Sequence, residues 1–122
     1  SFKGTDLDEN AIVAVGENLK ANGIEPEQFQ VMQGNILDDP TVQQWAGFGC
    51  YDVAVANILA DVIIPLVDEI PVHLKKGGIF ISSGIINLKE QAVLEAFSRN
   101  QELEVTEVTR QGEWVSVAAR RK

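Results

Sequence analysis

Apolar residues recur along this chain with two spacings, one typical of helices and the other typical of strands. Ile12, Val15 and Leu19 repeat at three- and four-residue intervals, which places them on one face of a predicted helix. The segment Tyr51–Ala56 is instead apolar almost without a break after its second residue, as expected for a strand buried on both faces of a parallel sheet. By these patterns the predicted strands are residues 2–5, 28–33, 51–56, 79–81, 102–109 and 113–119, and the predicted helices are residues 8–22, 41–46, 59–75 and 87–99.

Residues at the ends of these segments support the assignment. Asp8 is a suitable N-cap for the first helix. Pro65 and Pro71 are expected to bend or interrupt the third helix, because proline cannot continue the helical hydrogen bonds. Residues 87–90, Asn-Leu-Lys-Glu, match a capping box for the last helix. The sequence Arg-Gln-Gly at 110–112 separates the last two strands in the manner of a hairpin turn.

Strands and helices alternate along the chain until the last two strands, which follow each other directly. This order predicts an α/β fold with a mostly parallel sheet and a C-terminal antiparallel hairpin. A length of 122 residues corresponds to one domain, and a composition of 45% hydrophobic and 23% charged residues is that of an ordinary globular protein. Disordered, collagen-like and low-complexity classes are therefore excluded.

Charge and residue counts narrow the expected partners. Ten Lys and Arg residues against 18 Asp and Glu residues give a net charge of −8. One interpretation is that this negative charge serves solubility alone. The other is that it reflects the binding partner: a negative charge disfavours nucleic acid and suits a basic protein or a small molecule. The single cysteine excludes a disulfide framework and a cysteine zinc site. No apolar run approaches the ~20 residues of a membrane span, so a cytoplasmic protein with no membrane partner is expected.

Two polar residues that follow predicted strands are candidates for a binding site. Asp6 comes after the first strand, and Asn57 comes directly after the strand 51–56. In nucleotide-binding α/β proteins the ligand lies beyond the carboxyl ends of the strands, where an acidic residue accepts hydrogen bonds from the ribose hydroxyls. Asp6 suits that role, and the alternative is an ordinary loop aspartate. Asn57 can accept and donate hydrogen bonds, which suits a substrate amine, and the alternative is an N-cap of the following helix.

Other polar residues carry weaker signals. Two further segments follow predicted strands, Gly34–Asn35 and Ser82–Gly84. They either line the ligand-binding crevice beyond the carboxyl ends of the strands or only form turns. His73 and Cys50 have no partner at a useful spacing, and His73 is expected near a helix end in contact with solvent. Residues 6–17 match part of a calcium-loop pattern, but an alanine replaces the required central glycine. No metal site is therefore expected.

A glycine-rich turn after a strand is absent from this sequence. Dinucleotide and adenosyl cofactors ordinarily lie over such a turn after the first strand of the fold. The pair of glycines in Gly47–Gly49 precedes a predicted strand instead of following one. We therefore expect that the strand and the turn that belong before Asp6 are not part of these 122 residues.

The residues around both candidates resemble those of the class I S-adenosylmethionine-dependent methyltransferases, and within that class the enzymes that methylate large-subunit ribosomal protein L11. The resemblance covers nearly the whole chain. It is most specific in Ala-Asn-Ile-Leu-Ala at 56–60 and in Gly-Glu-Trp at 112–114. The segments that carry it are residues 4–12, 18–23, 51–60, 83–86 and 112–115.

The resemblance implies a cofactor, a substrate and the residues that serve them. The implied cofactor is S-adenosylmethionine, and the implied substrate groups are lysine side chains and an N-terminal amine of a basic ribosomal protein. Asp6 matches the acidic residue that binds the cofactor ribose, and Asn35 lies in the loop expected near the adenine. Asn57 matches the residue beside the methyl donor and the substrate amine, so it is the candidate catalytic residue as well as a cofactor-binding one.

The resemblance also implies that one strand of the sheet is missing. In the family, a central strand lies between the first two strands predicted here and the remaining four, and an N-terminal recognition domain precedes it. We therefore expect residues 1–122 to be part of a methyltransferase catalytic domain, with a Rossmann-like sheet that lacks its first strand and divides into two pieces with exposed edges. The expected consequences are a homo-oligomer or swapped dimer and no methyl transfer by this chain alone.

Two alternatives remain open at this point. One is an NAD-dependent enzyme domain, such as a dehydrogenase, with Asp6 on the cofactor ribose. The other is a non-catalytic interaction module that pairs with partners through its exposed sheet edges. The segment around Asn57 and the terminal hairpin favour the methyltransferase over the first alternative.

Overall fold

The computed structural model describes residues 2–6, 9–23 and 29–122, which belong to two units, residues 1–46 and 47–122. The strands are β1 (Phe2–Asp6), β2 (Phe29–Gln33), β3 (Tyr51–Asn57), β4 (Leu74–Ile86), β5 (Leu103–Gln111) and β6 (Trp114–Arg121). The helices are α1 (Glu9–Ala21), α2 (Pro40–Ala46), α3 (Ala60–Glu69) and α4 (Glu90–Arg99), with short 3-10 helices at Ile70–His73 and Asn87–Lys89.

In the first unit, β1 and β2 form a two-stranded parallel sheet, and α1 connects them along the chain. The register pairs the last residues of the two strands, Asp6 and Gln33. Helix α1 is followed by Gly23, whose φ of +68° is the left-handed conformation common after a helix C-terminus. The predicted N-cap Asp8 and the predicted first residue of β2, Gln28, lie outside the described residues.

The connection between β2 and α2 depends on a close approach at Gly34. Its φ is +151°, and a Cβ atom at this position would overlap the side chain of Val42, which is buried in α2. Glycine is therefore required here by space as well as by conformation. Lys3 ties β1 to α2, because its Nζ donates a hydrogen bond to the carbonyl oxygen of Trp45 at 2.7 Å and lies 5.0 Å from the centre of the indole.

The second unit is built on a four-stranded sheet with the order β3-β4-β6-β5. Strand β3 is parallel to β4, whereas β6 is antiparallel to both of its neighbours. The predicted C-terminal hairpin is confirmed: β5 and β6 are joined at residues 112–113, and Gly112 has a φ of +61°. The division of the strands into a set of two and a set of four agrees with the expected two pieces of sheet.

The core of the second unit lies between one face of this sheet and helices α3 and α4. Alternate residues of β4 and β6 point to this face, because side chains alternate across a strand. The rings of Phe80 in β4 and Phe97 in α4 are almost fully buried, with their centroids 5.9 Å apart. Further buried apolar residues of this core are Ile63, Leu66, Val67, Val93, Val115, Val117 and Ala119.

The expectation that β3 is buried on both faces is wrong. Ala54 and Ala56 pair with core residues of β4, but Val53 and Val55 point to the opposite face and are 51% and 68% exposed. Strand β3 is therefore apolar on both faces, but the face that carries Val53 and Val55 is exposed to solvent. The physical reason is that α3 and α4 cover one side of the sheet, whereas no described segment covers the valines.

Two predicted helix boundaries also require correction. The helix expected over 59–75 ends at Glu69, and Pro65 lies within it without ending it. Pro71 lies in the 3-10 turn that follows, and Leu74 already belongs to β4. The predicted capping box at 87–90 does not form, because α4 begins after a 3-10 turn and has no side-chain cap. Glu90 is engaged elsewhere, in an ion pair with Arg110.

Candidate functional site

Asn57 is the last residue of β3 and lies exposed at the carboxyl edge of the four-stranded sheet. It pairs with Ser83 of β4, and the backbone N–H of Ile58 donates to the Ser83 carbonyl oxygen at 3.2 Å. The N-cap of α3 is Leu59, and no side chain caps this helix. The alternative in which Asn57 caps the helix is therefore wrong. The amide of Asn57 makes no hydrogen bond to the described residues and is available to a ligand.

Of the three residues Ser82, Ser83 and Gly84, the last is the one that lies against the Asn57 amide. A Cβ atom on Gly84 would be 2.6 Å from Oδ1 of Asn57. Ser82 faces the core instead, where its buried hydroxyl donates to the carbonyl oxygen of Val117 at 3.1 Å. Gly84 therefore lies beside the candidate residue Asn57, whereas the side chain of Ser82 points into the core.

Asp6 and Asn35 lie in the first unit, at the carboxyl edge of its parallel sheet. Asp6 is the last residue of β1, and Asn35 follows β2 by two residues. Asn35 is half-buried, and its Oδ1 accepts a hydrogen bond from the N–H of Leu37 at 2.9 Å. This bond closes a local turn, so part of the hydrogen-bonding capacity of Asn35 serves the loop. Asn57 belongs to the second unit.

The environment of His73 differs most from what the sequence predicted. Instead of contacting solvent, it is 4% exposed and both ring nitrogens have partners. Nδ1 lies 2.5 Å from the Gly47 carbonyl oxygen, and Nε2 lies 2.7 Å from Oε2 of Glu69. The ring also stacks on Phe48 with centroids 5.2 Å apart. The signal for this contact is Glu69, four residues earlier on the same face of a helical segment.

Two titratable residues, Cys50 and Tyr51, lie at the amino end of β3. Burial raises the pKa of the Tyr51 phenol above its ordinary value, and the neighbouring Cys50 thiol adds to the shift. Cys50 itself is exposed. Tyr51 begins the strand that Asn57 ends and Cys50 directly precedes it, so both residues lie at the opposite edge of the sheet from Asn57.

Two kinds of feature are absent from the ranges 2–6, 9–23 and 29–122. No group of three His, Cys, Asp or Glu residues in these ranges is arranged to hold a metal ion. In the same ranges, no helix has the length and apolar character needed to cross a membrane.

Solved structures that share this arrangement of helices and strands include methyltransferases. A ribosomal protein L11 methylase from Lactobacillus delbrueckii subsp. bulgaricus has a TM-score of 0.83 and 29% sequence identity, over 98% of this chain and 57% of that chain. A Streptococcus mutans protein assigned to the methyltransferases and solved in complex with SAH has a TM-score of 0.71 and 15% identity, over 98% of this chain and 75% of that chain. The fold is that of the class I methyltransferases.

Sequence comparison narrows this class to one family. The family model described as ribosomal protein L11 methyltransferase matches residues 1–122. Ribosomal protein L11 methyltransferases of Lachnospira eligens and Agathobacter rectalis are 53% and 44% identical to this chain over 119 and 118 residues, or 98% and 97% of it. The chain belongs to the ribosomal protein L11 methyltransferase family.

The chain spans 37% and 36% of the length of these two relatives. The predicted resemblance and fold class are confirmed by the family match and by the solved structures. The NAD-dependent alternative is not favoured, because the relatives found by sequence and by structure are methyltransferases.

Proposed function

We propose that the protein carrying this chain transfers methyl groups from S-adenosylmethionine to amines of ribosomal protein L11, namely lysine side chains and an N-terminal amine. Family membership supports this proposal, and the observation that carries it is the exposed Asn57 amide at the carboxyl edge of the sheet, without an internal hydrogen bond to the described residues. The net charge of −8 complements a basic protein substrate, because opposite charges favour encounter.

The cofactor-binding residues are proposed from their place in the first unit. S-adenosylmethionine supplies a methyl group on a positively charged sulfur. Asp6 and Asn35 lie at the carboxyl edge of a parallel sheet, which is where α/β folds bind nucleotides. A carboxylate offers hydrogen-bond acceptors only, so Asp6 suits the two ribose hydroxyls. Asn35 is proposed to lie near the adenine.

Asn57 is proposed to hold the substrate amine. Its Oδ1 would accept a hydrogen bond from an N–H of the neutral amine and leave the nitrogen lone pair free to bond the methyl carbon. The carbon–sulfur bond would break as the nitrogen–carbon bond forms, the sulfur would leave as a neutral thioether, and the methylated ammonium would lose its proton to water. The amine must be neutral, because a protonated amine has no lone pair. Most of the rate enhancement is then expected from orientation and from the exclusion of water, with no dedicated general base.

The roles of Asn57 and Asp6 are tested in the whole natural protein that contains these residues, with radiolabelled S-adenosylmethionine and purified L11. Asn57→Ala is expected to lower kcat about 100-fold, as loss of a group that orients the reactants does. Asp6→Asn is expected to raise the cofactor Kd about tenfold or more, because a charge-assisted hydrogen bond is lost. Asn22→Ala removes another exposed amide, at the end of α1, and is the matched control with activity within twofold of wild type.

An Asn57→Ala variant with wild-type kcat would overturn the role of Asn57. Mass spectrometry of the L11 product tests the substrate groups, and the expected result is methyl groups on lysines and on the N-terminal amine. Unmodified L11 after reaction with active protein would overturn the substrate assignment.

The 122 residues by themselves are proposed to form oligomers and to transfer no methyl groups. Strand β3 pairs only with β4 among the described residues, and Val53 and Val55 expose an apolar face beside this edge. An unpaired edge next to an apolar face favours pairing with a second copy. Light scattering is expected to show an oligomer that Val55→Lys shifts towards monomer; a wild-type monomer would contradict the proposal. Tight S-adenosylmethionine binding by the isolated chain in calorimetry, with methylation of L11, would contradict the expected inactivity.

A further inference from the structure

Strand β4 contains an irregularity next to Asn57. In the pairing of β4 with β6, Ser82 is opposite Val117 and Ile85 is opposite Val115. Three steps along β4 therefore correspond to two steps along β6, so β4 carries one extra residue between these pairs. This is the geometry of a β-bulge, which locally redirects a strand. The residues inside it are Ser83 and Gly84.

Two serine hydroxyls, one from β4 and one from β6, link the bulge to β6. The hydroxyl of Ser82 donates to the carbonyl oxygen of Val117 at 3.1 Å, and the hydroxyl of Ser116 donates to the carbonyl oxygen of Ser82 at 3.2 Å. Ser82 is fully buried. These reciprocal bonds supply hydrogen bonds where the regular ladder is interrupted, so the bulge is a built feature of the sheet.

On the side of β3, the bulge brings the bare backbone of Gly84 against Asn57 and Ile58. Gly84 has a φ of +77°, and a Cβ atom there would lie 2.6 Å from Asn57 Oδ1, 3.1 Å from the Ile58 carbonyl oxygen and 3.3 Å from the Ile58 nitrogen. Any side chain at position 84 would therefore displace the Asn57 amide or the backbone that follows it. The side-chain amide of Asn57 has no hydrogen bond to the described residues, so this contact limits where the amide lies.

We propose that Gly84 is a positioning residue for Asn57: the β4 bulge places a residue without a side chain beside the Asn57 amide and thereby sets the position at which Oδ1 meets the substrate amine. The inference rests on the proposed role of Asn57. Gly84 does not touch the reacting atoms. It acts on methyl transfer because a displacement of about 1 Å in an orienting group lowers the rate about 100-fold.

The test compares two glycines of β4 in the whole natural protein that contains this chain. Gly77 has a φ of +83°, and a Cβ atom there would meet nothing within 4 Å. Alanine is thus similarly strained at both positions but collides only at Gly84. Gly84→Ala is expected to lower kcat about 10- to 100-fold with the KM for L11 within twofold of wild type, whereas Gly77→Ala is expected to keep kcat within twofold. Equal kcat values for the two variants would overturn the inference.

A second comparison separates this inference from the role of Asn57. In an Asn57→Ala background the amide that Gly84→Ala displaces is absent, so the second substitution is expected to lower kcat less than threefold further. If Asn57→Ala is impaired but Gly84→Ala lowers kcat equally in both backgrounds, the positioning role is overturned and the proposed function stands. If Asn57→Ala has wild-type kcat, the role of Asn57 is overturned and the inference falls with it.

A further variant tests the positioning role of Gly84 if the Gly84→Ala protein does not fold. Ser116→Ala removes the hydrogen bond to the Ser82 carbonyl and loosens the bulge without a collision at position 84. It is expected to lower kcat about three- to tenfold at an unchanged KM for L11. A wild-type kcat for Ser116→Ala in folded protein would overturn the inference in that case.

Discussion

Replacement of His73 by alanine is expected to destabilise the second unit by about 3–5 kcal/mol. The imidazole is buried between two acceptors, the Gly47 carbonyl oxygen at 2.5 Å and the Glu69 carboxylate at 2.7 Å. A hydrogen bond to a neutral carbonyl contributes about 1 kcal/mol, and one to a carboxylate contributes about 1.5–3 kcal/mol. The stacked contact with Phe48 adds about 0.5–1.5 kcal/mol. The loss is a large share of the ~5–15 kcal/mol that stabilises a typical domain.

Urea-induced unfolding followed by circular dichroism measures this loss for His73→Ala, for Glu69→Gln and for the double variant. The two residues are in direct contact, so their effects are expected to be non-additive by about 1–2 kcal/mol. Val72→Ala truncates the neighbouring residue, which is 40% exposed, and is the control with an expected cost below about 1 kcal/mol. A cost below about 1 kcal/mol for His73→Ala, or additive effects with Glu69→Gln, would refute the assignment of these hydrogen bonds.

Three further contacts are tested by urea unfolding of variants. Phe97→Ala is expected to cost about 3–5 kcal/mol, because the ring is 1% exposed and its removal leaves a cavity in the core; a cost below about 2 kcal/mol would contradict this packing. The hydrogen-bonded Arg110 guanidinium holds the pKa of Glu90 below its ordinary value of 4.5. The stability that this ion pair contributes is present at pH 7 and is lost as the pH falls through the lowered pKa of Glu90. The difference in the free energy of unfolding between wild type and Glu90→Gln should therefore shrink below about pH 4.5. A difference that is independent of pH would count against the ion pair. Asn35→Ala is expected to cost about 1 kcal/mol through loss of the bond to the Leu37 N–H, whereas Asn35→Asp should retain it; equal losses in both would argue against that turn.

The order and type of the elements followed from local patterns. Ile12, Val15 and Leu19 predicted α1, and the hairpin signal at 110–112 predicted the pairing of β5 with β6. Such signals are local, because helical spacing and turn residues act between residues close in sequence. Helix boundaries were less predictable. Leu74 and Lys75 continue an apparent helical segment in the sequence but belong to β4, where Leu74 pairs with Tyr51 of β3 and tertiary contacts override local preference.

The positions of Asp6, Asn35 and Asn57 at strand ends were also predictable, because strand ends are visible in the sequence. The surroundings of Asn57 were not. The bulge at Gly84 appears only when the register of β4 with β6 is known, and neither strand signals it alone. The prediction for His73 was wrong partly for a related reason, because Gly47, 26 residues earlier, becomes its partner only after folding. Its other partner, Glu69, lies four residues earlier and was a local signal in the sequence.

The amino-acid sequence of this chain is sufficient to establish its α/β element order, its family and the residues that end its strands, since these depend on composition, periodicity and short motifs. Folding in three dimensions determines which faces are buried and which polar groups meet. Val53 and Val55 have the same apolar character as residues of the core, yet they are exposed because α3 and α4 pack on the other face of the sheet. Burial and side-chain partnership depend on contacts between residues far apart in the chain, and those contacts are set by sheet register and helix packing.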